Sequence, residues 1–239
     1  MSAGNTEFAE LAQTRSVPVT EGRPPLRLGV LLSGRGSNFL AIAESIRLGR
    51  LKGVQIAVVI SNVPDAAGLQ AARDLGLPTA VLVSKGRKRA EHDADVIACL
   101  RTHRVNLVCL AGYMRLLSPE FVAAFPSRIL NIHPSLLPAF PGLDAQQQAF
   151  DHGVKVAGCT VHFVDEHLDH GVIVVQRAIP VLETDDAHSL AARILVEEHI
   201  AYSEAIARVA SGEYEIRGRR FVKRNPPQQV AGAAKERGE

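Results

Sequence analysis

The stretch LRLGVLLSGRGSNFLAIAESIRLG, residues 26–49, carries the pattern on which the fold turns. Its first seven residues, Leu26–Leu32, form an apolar run of strand type. A turn holding Gly34 and Gly36 follows, and from Asn38 to Gly49 the apolar residues recur at helical spacing. One strand feeding one helix through a tight glycine turn is the opening unit of a strand–helix–strand architecture.

Outward from that unit the alternation repeats. Val54–Ile60, Thr79–Val83, Val105–Leu110 and Arg128–Ile132 read as strands, and Ala67–Leu75, Arg89–Thr102, Pro119–Phe125 and Ala145–His152 as helices. Nearly continuous apolar strands alternating with helices predict an α/β chain: a doubly wound, mostly parallel sheet with helices on both faces. After Gly153 the pattern changes. Val156–Val164 and Gly171–Val181 read as longer antiparallel strands joined by a short acidic loop, then a helix from Asp186 to Ala210 and a hairpin over Glu213–Arg224. Residues 1–25 and 225–239 are rich in Pro and poor in periodic apolar residues, and read as a disordered extension and tail around one domain, 26–224.

Composition narrows the function classes. The chain has 239 residues, 46% hydrophobic and 22% charged, enough to bury roughly 70–75% of its unfolded surface in one core. Its 27 basic and 25 acidic residues nearly cancel, to +2, which speaks against a nucleic-acid partner. No apolar run reaches the ~20 residues of a membrane span, so no membrane partner is expected. Cys99, Cys109 and Cys159 are odd in number and set among apolar residues, as reduced, buried cysteines of a cytoplasmic protein are.

In a doubly wound sheet, ligands sit at the carboxyl ends of the strands. Ser33-Gly34-Arg35-Gly36-Ser37-Asn38 lies there, where glycines let the backbone approach an anion and a helix N-terminus presents free N–H groups. It reads either as a phosphate cradle or as a plain tight turn capped by Ser37 or Asn38. Neither a Walker loop nor a full dinucleotide fingerprint is present, since no Gly-Lys-Ser/Thr follows and position 39 is Phe. Asn131 and His133, two apart in an extended segment ended by Pro134, project to one face. An amide donor beside an imidazole suits acyl transfer, although the same pair can serve loop backbone and strand end alone. The loop Asp165-Glu166-His167-Leu168-Asp169-His170 supplies several carboxylates, one of which could fold back toward His133 and raise its pKa. Residue types alone do not choose among them. His167 and His170 invite a zinc reading, but without further ligands at suitable spacing no metal is expected.

SGRGSN, SNVPDAAGLQAA, AGYMRLLSP, NIHPSLLPAFPGL and GCTVHFVDEHLDHG, in this order, closely resemble the glycinamide ribonucleotide formyltransferases of purine biosynthesis, over about Leu26–Gly212. The resemblance implies their Rossmann-like formyltransferase fold and transfer of a formyl group from the co-substrate 10-formyltetrahydrofolate to the amine of glycinamide ribonucleotide. It implies that Asn131 and His133 stabilise the tetrahedral intermediate, with Asp169 raising the histidine's pKa and organising a proton-carrying water. Gly36, Ser37, Asn38 and Glu198 would hold the glycinamide ribonucleotide. Arg89, Met114, Arg115, Leu116, Leu117, Asn131 and Val164 would contact the folate, and Asp165–Gly171 would wall its pterin pocket. A monomer or homodimer is implied. His170, Ala139-Phe140, Asp144 and Gln146 depart from the usual pattern, whereas Asn131, His133 and Asp169 keep it.

Formyltetrahydrofolate hydrolase is the nearest rival, because PAFPG at 138–142 resembles it. The expectation against it is length: the hydrolase pattern brings an N-terminal regulatory domain, and methionyl-tRNA formyltransferase a C-terminal RNA-binding barrel. A non-catalytic nucleotide-binding module would use the glycine loop but not Asn131, His133 and Asp169.

Overall fold

The computed structural model describes residues 24–224. The expected tail, 225–239, and the expected extension apart from Pro24 and Pro25 lie outside the described residues. In chain order the elements are β1 (Leu26–Leu32), α1 (Ser37–Arg47), β2 (Val54–Ser61), α2 (Ala67–Asp74), β3 (Thr79–Val81), α3 (Arg89–Thr102) and β4 (Leu107–Leu110). There follow α4 (Pro119–Ala124), β5 (Ile129–His133), α5 (Ala145–Asp151), β6 (Val156–Phe163), β7 (Ile173–Pro180), α6 (Ala187–Ser211), β8 (Tyr214–Arg217) and β9 (Arg220–Lys223).

Seven strands form one sheet in the order β3-β2-β1-β4-β5-β6-β7, and β8 pairs with β9 separately. The five strands β1 to β5 run parallel, and β6 and β7 are each antiparallel to the strand before them. The doubly wound sheet and its antiparallel C-terminal part are therefore as the sequence predicts. The apolar runs are continuous because successive residues face two cores. Leu28, Val30, Leu32, Leu107, Cys109, Leu130 and Ile132 pack with Phe39 and Ile42 of α1, Leu69 of α2, and Leu190, Ile194 and Tyr202 of α6. Leu31, Val58, Ile60, Val108, Leu110 and Ile129 pack on the other side with Val96 and Leu100 of α3 and Phe121 of α4. Each such side chain contributes roughly 1.5–3 kcal/mol on burial, so one polar substitution in either row is costly. Tyr202 ties α6 to the sheet, its hydroxyl lying 3.0 Å from the carbonyls of both Leu110 and Leu130.

Strand ends shift by a residue or two from the sequence reading, for local reasons. Val105, expected in β4, instead closes α3: its N–H donates to the Leu100 carbonyl, and pairing with β1 begins only at Leu107. The expected Leu82–Val83 end of β3 is not a strand, since the ladder with β2 stops at Val81. His133, expected just past β5, belongs to it and pairs with Thr160.

Sheet order reverses direction between β1, which leads to β2 and β3, and β4, which leads to β5. The loops leaving β1 and β4 meet at that point: Ser33 N–H donates to the Gly112 carbonyl at 3.0 Å, and Met114 N–H to the Ser33 hydroxyl at 2.9 Å. This is the crevice where doubly wound folds bind ligands.

Candidate active site

Gly36 is the N-cap of α1 at φ 74°, a left-handed conformation that favours glycine. A Cβ there would also meet the Gly68 backbone at 2.8 Å, so α1 and α2 approach through two glycines. The expectation that Ser37 or Asn38 caps α1 is corrected: no side chain caps this helix. Asn38 is instead buried and donates through Nδ2 to Glu198 Oε2 of α6 at 2.8 Å, because Glu198 faces the same core. That leaves the first N–H groups of α1 without a side-chain cap. Asn38 Oδ1 is buried without a partner. Burial pushes the Glu198 carboxyl above its ordinary range, only partly opposed by the Asn38 hydrogen bond.

At the end of β5, Asn131 and His133 share one face, and the antiparallel register sets His162 opposite Asn131 and Thr160 opposite His133. His133 is buried, and its Nε2 lies 2.8 Å from the Phe140 carbonyl, which can only accept. Nε2 therefore carries a proton, and Nδ1 faces Asp169 Oδ2 at 3.4 Å. The Phe140 carbonyl is held by a polar scaffold. Ser135 Oγ donates to the Ala139 carbonyl at 2.6 Å, and Thr160 Oγ1 donates to the Ser135 carbonyl at 2.7 Å. Leu137 N–H returns to Thr160 Oγ1 at 3.0 Å, and Gln176 Nε2 donates to the Leu137 carbonyl at 2.8 Å.

Asp169 arrives from the loop between β6 and β7. β6 is antiparallel, so this loop leaves beside the start of β5, where Val164 N–H bonds the Ile129 carbonyl, and must fold back over the sheet. Two features turn it. The β6–β7 ladder shifts register between Val161 and His162. Gly171 also passes so close to the Phe163 carbonyl that any Cβ would overlap it. Asp169, at φ 49°, then accepts from Gly142 N–H at 2.8 Å and lies 3.7 Å from His162 Nε2. Burial works to raise its pKa. The His162 contact, the Gly142 N–H and the charges of His133 and His162 outweigh that and hold the carboxyl below its ordinary value.

His162 belongs to the constellation without having been singled out. It is buried, donates through Nδ1 to the Phe163 carbonyl at 2.9 Å, and sets Nε2 3.3 Å from Asn131 Nδ2 and 3.7 Å from Asp169 Oδ1. Alternation along β6, which sends Thr160 and His162 to one side, is the signal that could have found it.

The structure thus gathers Asn131, His133 and Asp169, and separately Gly36, Asn38 and Glu198. Met114 and Leu116 lie exposed on the loop after β4, and Leu117 and Val164 are half-buried against the second core. Arg115 Nε is buried with no partner. Arg89 is exposed at the first position of α3 and is joined to no other predicted site residue by a hydrogen bond. Among the described residues no helix is long and apolar enough to cross a membrane.

The family profile described as formyl transferase matches residues 26–206. Phosphoribosylglycinamide formyltransferase of Escherichia coli (strain K12) is 38% identical over 192 residues, which cover 80% of this chain and 90% of that protein. The trifunctional purine biosynthetic protein adenosine-3 of Drosophila pseudoobscura pseudoobscura is 43% identical over 93% of this chain, which spans only 16% of that protein. Among solved structures, glycinamide ribonucleotide transformylase 1 of Symbiobacterium toebii superposes with a TM-score of 0.81 at 51% identity, covering 84% of this chain and 95% of that one.

Proposed function

The chain belongs to the formyl transferase family, and on that premise we propose that it moves a formyl group from 10-formyltetrahydrofolate to the amine of glycinamide ribonucleotide, in purine biosynthesis. The observation that carries this is the Asn131–His133–Asp169 constellation at the carboxyl end of β5, with His133 buried and the Asp169 carboxylate facing it. The unit proposed to do this is 26–224, working in the cytoplasm, where its three free thiols would stay reduced.

The substrate amine attacks the formyl carbon, and negative charge develops on the formyl oxygen. The Asn131 amide is one donor for it, and His133 is the other when it is protonated on Nδ1 as well as on Nε2. Nδ1 suits this because 3.4 Å to Asp169 is long for a charge-assisted bond, so its proton is not fully committed. Two such donors, already oriented in a water-poor site, act without reorganising as charge builds. The attacking nitrogen, now cationic, gives up a proton that must reach N10 of the folate as the carbon–N10 bond breaks. Asp169, ionised at neutral pH, accepts and returns it through a water. The products are the formamide and tetrahydrofolate.

The glycine loop supplies main-chain N–H groups for the substrate phosphate, and the unpartnered Asn38 Oδ1 beside Glu198 accepts from a sugar hydroxyl or the amine. Met114, Leu116 and Val164 offer apolar contact to the pterin, and Arg115 Nε an unused donor. Arg89 would meet the outer, anionic end of the folate.

The test is tetrahydrofolate formation from 10-formyltetrahydrofolate with and without glycinamide ribonucleotide. Turnover should require the amine and leave no free formate. Formate release at the same rate without the amine would reassign the chain as a hydrolase.

A further inference from the structure

Asp165, His167 and His170 lie together on the β6–β7 loop, and their potential ligand atoms fall within 4.8 Å of one another. His170 Nδ1 is 3.0 Å from Asp165 Oδ2, and His167 Nδ1 is 3.9 Å from Asp165 Oδ1. The two imidazole rings are 5.2 Å apart. All three groups are accessible, with side-chain exposures of 39%, 76% and 51% in that order.

We propose that Asp165, His167 and His170 bind a divalent transition ion of the zinc class as an open, three-ligand clasp completed by water. The donor set is right for that ion: two imidazole nitrogens and one carboxylate, with no thiolate and no all-oxygen shell. So is the spacing. Bonds of 2.0–2.1 Å at a tetrahedral angle put ligand atoms about 3.3 Å apart, within side-chain rotation of the present 3.0 and 3.9 Å. The two-histidine spacing in the sequence lacked a third group; the turn at Asp165 provides it, its Oδ1 accepting from His167 N–H at 2.9 Å. The formyl transfer proposed above uses no metal, and none of these three side chains is among its catalytic groups.

The second contact of His170 sets what limits binding. Asp165 can only accept, so His170 carries its proton on Nδ1 and its Nε2 accepts from Arg219 Nη1 at 3.1 Å. Ligation through Nδ1 sends that proton to Nε2, which then no longer accepts. Arg219, on the turn between β8 and β9, must release the ring, while its other nitrogen keeps the His170 carbonyl at 2.6 Å. The arginine thus competes with the ion by charge and by hydrogen bonding. Asp169 lies between the two histidines in the chain, so an occupied clasp would also restrain the carboxylate that faces His133. That last consequence rests on the proposed formyl transfer; the site itself does not.

Titration calorimetry of the full chain with zinc chloride, without substrates, tests the site. One ion should bind per chain, His167→Ala with His170→Ala should weaken it at least tenfold, and Asp165→Asn should also weaken it. Arg219→Gln should tighten it several-fold. Cys99 and His103, another zinc-capable pair with Sγ 3.8 Å from Nδ1, are unchanged in every variant and cannot produce these differences. Circular dichroism establishes that each variant is folded. Equal zinc affinity in the wild type and the folded double-histidine variant would overturn the proposal, and weaker binding in Arg219→Gln would overturn the role given to the arginine. Neither reading involves turnover, so failure here leaves the formyl-transfer proposal standing, and the reverse.

Discussion

Asp169 accepts the Gly142 N–H and lies beside the buried rings of His133 and His162, with its own backbone at positive φ. Asparagine at this position would keep the shape and one acceptor but lose the charge and the capacity to hold a proton. Asp169→Asn is expected to retain folate affinity, measured by equilibrium titration, while kcat falls by roughly two or more orders of magnitude. Near-normal kcat would remove Asp169 from the proton path. Residue types in the acidic loop were legible in the sequence, but not which carboxylate works. Asp165 and Asp169 are chemically alike. The back-folding of the loop sends one to His133 and the other to the surface with His170. Only the family resemblance singled out Asp169 beforehand.

The decisive element is the turn from β1 into α1. From the sequence it reads either as an anion cradle or as a turn capped by Ser37 or Asn38. Gly36 as N-cap removes the capping role, and the Asn38 side chain is spent on Glu198 instead. Ser37→Ala combined with Asn38→Ala is therefore expected to raise KM for the phosphorylated substrate several-fold more than KM for the folate, in steady-state kinetics. A change confined to the folate constant would dismiss the cradle. Strand and helix positions were readable because apolar periodicity records burial on one face or two. Their exact ends were not, since a ladder stops where its neighbour stops, as β3 does beside β2. The helix and hairpin after β7 were readable for the same reason as the rest, with Asp186 and Ser189 forming a capping box at the start of α6.

Across the whole molecule, stability against acid is set by carboxyl groups displaced in opposite directions. Asp169 titrates below its ordinary value in the fold, so its contribution is fully present above the unfolded value, near 3.9, and is lost as pH falls through the folded one. Glu198 is displaced upward by burial, so the native state holds its proton more tightly and stability declines as pH rises from the unfolded value, near 4.3, through the folded one. Urea unfolding followed from pH 3 to 7 should show both slopes. Glu198→Gln should lessen the decline on the neutral side and Asp169→Asn should lessen the loss on the acid side, to which Asp165, Asp185 and Asp186 also contribute; unchanged profiles would refute these assignments. The order of apolar and polar residues by itself determined the class of fold, the strand count of the parallel half and the pairing of Asn131 with His133 on one face. These depend on near neighbours in the chain and on a period of two or 3.6. Tertiary structure alone decided that Asn38 meets Glu198 160 residues away, that His162 backs Asn131 from the next strand, and that Asp169 rather than Asp165 reaches His133. Those contacts follow from strand order, from antiparallel register and from a loop bent by Gly171, where close packing in three dimensions chooses among residues the chain presents as equivalents.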